Sequence, residues 1–200
     1  MNLVVLYVFE VPKIAGAKVV GTSKRTTRRL MNLEEADKNG DQNELYQSFS
    51  VRAQGTNIDP VTLLATDYLN HFNEIVMLLE LIPDMPDCLE DALAWQPKSY
   101  QQHFAESQFS DKLLAIEAFD HVPHRFRQPF DAVIRQMDSL VPRALHRIGA
   151  LLSTEDDERL RQVCTECSRR LQKMIDVASA IIHGSAHPLD QTEIDHFLAD

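Results

Sequence analysis

Carboxylate and imidazole side chains recur at helical spacing in two places along the chain. Asp67, His71 and Glu74 stand at positions i, i+4 and i+7, and Glu117 and His121 form a separate i, i+4 pair. Helical bundles build metal sites from such side chains when they project from facing helices. One interpretation is therefore a metal- or ligand-binding bundle, with or without catalysis, that uses these five residues. The other is a solvated face, because the first stripe falls in the polar arc of its predicted helix.

A Cys-x-x-Cys pair, Cys164 and Cys167, suggests redox or zinc chemistry. Redox pairs of this kind usually begin a helix, where the helix dipole lowers the thiol pKa. This pair comes about ten residues into a predicted helix and occupies two positions of its apolar stripe. Buried cysteine packs as a small apolar side chain, so core packing is the favoured interpretation.

The segment from His121 to Arg127 combines cations and aromatic rings in a predicted connection between helices. It is a candidate for binding an anion, or alternatively a loop that tethers Phe126 to the core. The sequence lacks the glycine-rich loops of nucleotide-binding proteins, the G-x-S-x-G of hydrolases and the H-E-x-x-H of zinc peptidases. No cofactor is expected.

The last residues of the chain carry a more specific pattern. Asp190 and Glu193 are spaced as a capping box, which predicts a short terminal helix. Ile194, Phe197 and Leu198 then fall at i, i+3 and i+4 and give this helix one apolar face. The segment either docks a protein partner or packs against its own bundle.

Residues 189–198 resemble the peptide with which flagellar motor switch proteins bind the chemotaxis response regulator, L-S-Q-x-E-I-D-x-L-L. Six positions match, and two differ, because Asp190 replaces serine and Phe197 replaces leucine. The matching residues are Leu189, Gln191, Glu193, Ile194, Asp195 and Leu198. The resemblance implies a response regulator as partner, with Gln191, Glu193, Ile194, Asp195, Phe197 and Leu198 as its binding residues.

The chemotaxis phosphatase family is similar in layout, since its related peptide follows a linker and a long helical hairpin. Its catalytic segment, D-F-Q-D-L-T-G-Q, is absent from this sequence. The resemblance therefore extends to binding and not to phosphatase activity.

Helical periodicity predicts the elements that position these residues. An amphipathic helix is predicted over 59–82, where Asp59 and Pro60 supply an N-cap and a first-turn proline and Pro83 ends the pattern. Shorter helices are predicted at 87–95, 99–107 and 111–121. Trp95 and Tyr100 are predicted core residues.

Two long helices follow and carry heptad spacing of their apolar residues, which predicts an antiparallel hairpin. The heptad positions are Phe130, Ile134, Met137, Val141, Ala144, Ile148 and Leu151 in the first helix, and Leu160, Cys164, Cys167, Leu171, Met174, Ala178 and Ile181 in the second. Pro142 is predicted to kink the first helix, and Gly184 to end the second. Continued heptads also allow a homodimer.

The sequence thus predicts an all-α fold, a helical bundle built around a long antiparallel hairpin. Residues 1–56 are predicted as a basic, partly irregular segment with short strands at 3–9 and 18–20, residues 57–184 as the bundle, and residues 185–200 as a linker and terminal helix. Residues 21–58 are predicted as a loop, either throughout or with one short helix at 33–38.

Composition limits the class of function. The 200 residues carry 30 acidic and 20 basic side chains, a net charge of −10, which argues against a nucleic-acid partner. No apolar run is long enough for a membrane span. Three cysteines suit a reducing cytoplasm. The favoured interpretation is a cytoplasmic, non-enzymatic interaction or regulatory protein.

Overall fold

The computed structural model describes residues 41–154 and 156–184, and the predicted all-α fold is confirmed there. Within these ranges the structure contains seven α-helices, one turn of 3₁₀ helix and no β-strand. The helices are α1 (41–53), α2 (Asn70–Leu81), α3 (Cys88–Ala94), α4 (Tyr100–Glu106), α5 (Lys112–Phe119), α6 (His124–Leu152) and α7 (Asp157–Ile182), and the 3₁₀ turn covers Thr66–Leu69. The predicted N-terminal strands and the segment 185–200 lie outside the described residues.

The long hairpin of α6 and α7 is the framework of the bundle. The two helices make the most extensive helix–helix contact of the described residues, and their predicted heptad positions are buried there, except for the half-buried Leu151. At the start of α7 the Asp156 side chain accepts a hydrogen bond from the Arg159 N–H at 3.0 Å. At its end, Gly184 adopts a left-handed conformation with φ of 71°, which supplies the predicted helix stop.

Helix α2 and the turn before it pack along α7. The hydroxyl of Thr62, which is fully buried, donates to the carbonyl of Ile182 over 2.6 Å. At the other end of α2, Arg161 forms an ion pair with Asp84 over 2.6 Å. Because Thr62 contacts the end of α7 and Asp84 its beginning, the two segments run antiparallel.

The prediction of one helix over 59–82 is wrong in its first third. The Asp59 carboxylate accepts from the N–H groups of Val61 and Thr62, and Leu63 has a positive φ of 61°, so the chain turns here and helix begins only at Thr66. The turn buries residues 62–65 completely. An amphipathic helix with 3.6 residues per turn would expose at least one of four consecutive side chains. The turn is favoured over a helix here because it buries all four.

The loop predicted over 21–58 is also wrong for residues 41–53, which form α1. Phe49 and Ala53 are buried on one face of α1, and the Tyr46 hydroxyl donates to the Val61 carbonyl at 3.0 Å. Because α1 has so few buried side chains, its sequence shows only a weak hydrophobic periodicity. A helix of this kind is stabilised by its tertiary contacts. The bundle therefore begins before residue 57.

The start of α6 differs from its prediction as well. Pro123 is the N-cap, so the residues from His124 to Arg127 form the first turn of the helix and not a connection. Phe126 is buried, as predicted for its tethering role. Further along, α6 continues through Pro142, which lies on its exposed side.

No helix in the described part of the chain is long and apolar enough to cross a membrane.

Candidate functional site

The five residues of the metal interpretation do not come together. His71 is buried, Glu74 is exposed, and Asp67 is half-buried in the 3₁₀ turn. Among the described residues, the structure contains no group of three or more His, Cys, Asp and Glu side chains able to hold a metal ion. The metal interpretation is not supported by these positions.

The second pair is occupied by contacts with α1. Glu117 is exposed and forms an ion pair with Arg52 over 3.1 Å. The His121 ring stacks on Phe49, with 4.7 Å between the ring centroids. Both side chains therefore help to attach α1 to the end of α5.

His71, predicted at the border of the polar arc, lies in a buried aromatic environment. Its ring stacks on Trp95 at 4.6 Å between centroids, and the Trp95 indole N–H donates to the His71 carbonyl at 3.0 Å. Its Nε2 is buried and makes no hydrogen bond in the described part of the chain. Burial, reinforced by the charges of Lys98 and His103, lowers the pKa of His71 to about 4.

We expect the free energy of unfolding to fall as the pH drops from 6.5 to about 4, in part through His71. The pKa of His71 is lower in the folded state, so its contribution to the free energy of unfolding is complete above pH 6.5. This contribution decreases by about 1–2 kcal/mol as the pH falls toward the folded-state pKa. Urea unfolding across this range should show a flatter profile for His71→Phe, which keeps a ring against Trp95. His146→Gln, on the exposed side of α6, should leave the slope unchanged. An equally steep profile in His71→Phe would contradict this assignment.

Cys164 and Cys167 are free thiols buried in the hairpin, as the core-packing interpretation predicts. Burial raises the pKa of Cys164 to about 11 and also raises that of Cys167. The thiolate form needed for redox or metal chemistry is therefore disfavoured at both positions.

Arg127, the last cation of the segment 121–127, contributes to structure. The Arg127 Nε donates to both oxygens of Asp131 at 2.8 and 3.0 Å, and its Nη1 donates to the Phe119 carbonyl at 2.9 Å. The Arg127 guanidinium also lies 3.6 Å from the centroid of the Phe119 ring. Arg127 therefore joins α5 to α6 through its Nε and Nη1 donors.

Aromatic rings form a continuous cluster where the 3₁₀ turn, α4, α5 and α6 meet. Tyr68 is central, with its ring centroid 5.9 Å from Phe72, 5.3 Å from Tyr100 and 5.9 Å from Phe130. Tyr100 stacks on Phe119 at 4.3 Å. Both tyrosine hydroxyls are bonded to backbone: Tyr68 donates to the Lys98 carbonyl, and Tyr100 accepts from the Ala65 N–H, each at 2.8 Å.

A cleft of about 350 Å³ opens beside this cluster, between the segment 97–101 and one face of α6. We call it the Asp138 cleft. Its aromatic lining residues are Tyr68, Tyr100, Phe119 and Phe130, and its charged lining residues are Lys98, Arg127, Asp131, Arg135 and Asp138. Its volume is at the lower end of the range for small-molecule sites, which is about 300–1,000 Å³.

Asp138 differs electrostatically from its neighbours in the cleft. Its Oδ1 is buried and makes no hydrogen bond within the described residues. Burial raises the pKa of Asp138 to about 6, and the Asp138 charge in turn helps to raise the pKa of Tyr68 above its usual range, after burial itself. Perturbed carboxylates in clefts are typical of binding sites.

This site was not predicted from the sequence, although the sequence carries one signal for it. Asp131 and Asp138 are seven residues apart and so lie on one face of α6. Their aromatic partners come from the 3₁₀ turn, α4 and α5, which are distant in sequence, and no local spacing relates them to α6.

The residues predicted to bind a partner, from Gln191 to Leu198, lie outside the described part of the chain. Comparison with protein-family models, curated proteins and solved structures gives no match. Function is therefore inferred from the residues themselves.

Proposed function

We propose that this chain is a cytoplasmic, non-enzymatic helical interaction protein whose C-terminal segment docks a protein partner. The observation that carries the proposal is the pattern of residues 189–198, which begins five residues after α7 of the hairpin reaches its stop at Gly184. The resemblance of this pattern to the response-regulator-binding peptide favours a response regulator as the partner.

The bundle supports this proposal by fixing the point from which the segment extends. At the end of α7 the Gly184 N–H donates to the Ile181 carbonyl at 3.0 Å, and Thr62 holds the Ile182 carbonyl. The last described residues are therefore tied to both α7 and the turn before α2. A docking segment that follows such an anchor keeps a defined origin relative to the bundle.

The chemistry of the segment favours a groove that is apolar at its centre and basic at its edges. Ile194, Phe197 and Leu198 supply the apolar anchors of an amphipathic helix. Glu193 and Asp195 flank them and pair best with Lys or Arg on the partner. A segment that orders on binding loses conformational entropy, so we expect an affinity on the order of micromolar that weakens with added salt.

The heptad positions of the hairpin are used within one chain. Because those residues are buried between α6 and α7 and beneath α2, they offer little apolar surface to a second copy. The proposal therefore does not include a homodimer through these positions. Sedimentation at micromolar concentrations is the measurement that checks it, and we expect a monomer.

Calorimetric titration of the intact chain and of a chain ended after Gly184 with a chemotaxis response regulator tests the proposal. We expect the intact chain to bind and the shortened chain to lose binding. Equal affinity of the two chains would show that the segment is not the docking element. If neither chain binds, the response regulator is the wrong partner, and capture of cellular proteins on both chains then tests the docking role by itself.

A further inference from the structure

Three large apolar side chains lie exposed in one row along α2 and the turn that follows it. Met77 is 55% exposed, Leu81 38% and Met85 54%, and they stand at positions i, i+4 and i+8. The Met85 N–H donates to the Leu81 carbonyl at 2.8 Å, so Met85 lies one helical turn beyond Leu81. We call these three residues the Met77 row.

The Met77 row lies on the side of α2 that the rest of the bundle leaves uncovered. Helix α2 packs on α7 and α3 through its opposite side, where Phe72, Ile75 and Leu79 are fully buried. Single exposed apolar side chains are ordinary on a protein surface. A row spaced by four residues is different, because it is one of the ridges through which helices pack against one another. The Met77 row is therefore an unpartnered helix-packing surface.

The sequence around the row is acidic and contains no cation. Residues 70–97 include six acidic side chains and no lysine or arginine. All six are exposed, and they are Glu74, Glu80, Asp84, Asp87, Glu90 and Asp91. On the flank of the row toward α7, Arg161 pairs with Asp84, and Gln172 donates to Glu80 at 2.9 Å. This flank is partly neutralised by α7.

The carboxylates on the other flank have no cation partner. Glu74 lies three residues after His71, whose ring stacks on Trp95 at the end of α3, so Glu74 is on the flank nearer α3. The other three carboxylates belong to α3 and to its N-cap residue, Asp87. None of these four forms an ion pair within the described residues. The row is therefore bordered on the side of α3 by negative charge without a counter-ion.

From this surface we infer that the Met77 row docks a basic amphipathic helix of a partner protein. The occupant places apolar side chains, spaced by three and four residues, against the row. Its lysines or arginines face Glu74 and the carboxylates of α3, and this charge complementarity selects a basic helix over an acidic one. The two methionines suit such a contact, because their flexible thioethers adapt to the shape of an apolar partner. The inference is independent of the C-terminal segment.

A second copy of this chain fits the row less well. Packing of the row against itself about a two-fold axis would bring Glu74 and the α3 carboxylates close to the same residues of the other copy. Like charges placed opposite one another oppose association. The same carboxylates repel the anionic headgroups of a membrane surface.

Titration of the full-length protein with a synthetic peptide, followed by amide chemical shifts, tests the inference. The probe consists of leucine at helical spacing and lysine elsewhere, over about five helical turns. We expect saturable shifts at Met77, Leu81 and Met85, with a dissociation constant on the order of 100 μM for so small a contact. A peptide with glutamate in place of lysine has the same apolar face and should bind at least about tenfold more weakly.

Matched variants locate the apolar contact. Leu81→Ser, at the centre of the row, should weaken binding of the lysine peptide by about tenfold or more. Met77→Ser repeats the test at a more exposed position. Leu113→Ser makes the same kind of change on α5, at a side chain that is 70% exposed, and should bind as the parent protein does. Far-UV circular dichroism confirms that each variant is folded.

A second pair of variants locates the charge. Glu74→Gln should weaken binding of the lysine peptide by about twofold to fivefold, the usual contribution of one exposed ion pair. Glu166→Gln removes one charge from an exposed position on α7 and should leave binding unchanged. Together the two variants separate the carboxylate beside the row from the net charge of the protein.

Three results would overturn the inference. Equal binding of the lysine and glutamate peptides would exclude a basic occupant. Undiminished binding to both Leu81→Ser and Met77→Ser would place the peptide elsewhere. Self-association of the parent protein in sedimentation, abolished by Leu81→Ser, would identify a second copy of the chain as the occupant.

Discussion

Tyr68→Ala is expected to lower the free energy of unfolding by about 3–5 kcal/mol, the usual cost of removing a large buried ring. Tyr68 is 1% exposed, and its ring contacts Phe72, Tyr100 and Phe130 from three different helices. The resulting cavity would lie where α2, α4 and α6 meet. If one helix moved to fill this cavity, it would lose its packing against the other two. Urea unfolding followed by circular dichroism measures the change.

Two further variants make this result specific. Tyr68→Phe keeps the ring and removes only the hydrogen bond to the Lys98 carbonyl, so a loss of about 1 kcal/mol is expected. Leu113→Ala truncates an apolar side chain that is 70% exposed on α5 and should change stability by less than about 0.5 kcal/mol. A Tyr68→Ala variant as stable as Leu113→Ala would contradict the central place given to this ring.

Ile194→Ala and Phe197→Ala are each expected to weaken partner binding by about 1–3 kcal/mol, as for buried interface anchors. The apolar face predicted for the terminal segment consists of few residues, so each truncation would remove a large share of the contact proposed to be buried. Calorimetric titration of each variant with the response regulator measures the loss. Asp200→Asn, beyond the matched pattern, is the control variant and should bind unchanged.

The same two substitutions should leave the melting temperature of the bundle nearly unchanged, since the proposal gives these side chains a role in the partner interface alone. Thermal unfolding of the variants without partner provides this measurement. A decrease of several degrees, on the order of 1–2 kcal/mol for a chain of this size, would identify the terminal helix as part of the core and contradict the docking proposal.

Five helices were predicted close to their observed bounds, apart from the first turn of α6. The short helices expected at 87–95, 99–107 and 111–121 are α3, α4 and α5, and the two heptad patterns are α6 and α7. A long helix that packs against one partner repeats its apolar residues every three or four positions. This repeat can be recognised within a short stretch of the sequence. The buried positions of Cys164 and Cys167 followed from the same repeat.

The incorrect predictions are those in which tertiary contact overrides a local pattern. The apolar residues between Asp59 and Tyr68 have helical spacing, yet they form a turn, because Thr62 is bonded to the end of α7 and Ala65 to Tyr100. Helix α1 has a weak pattern of its own and is attached through stacking of Phe49 on His121. In each case the deciding partner lies far away in the sequence.

The candidate sites show the same division. The sequence by itself determined the helical class, the hairpin and the composition of the terminal segment, because periodicity, capping and charge are properties of neighbouring residues. Only the tertiary structure decided that His71 stacks on Trp95, that Glu117 pairs with Arg52, and that Asp138 lines a cleft without an ion pair to any described residue. Burial and the distance to an opposite charge set the chemistry of an ionisable side chain, and both depend on which helices pack together.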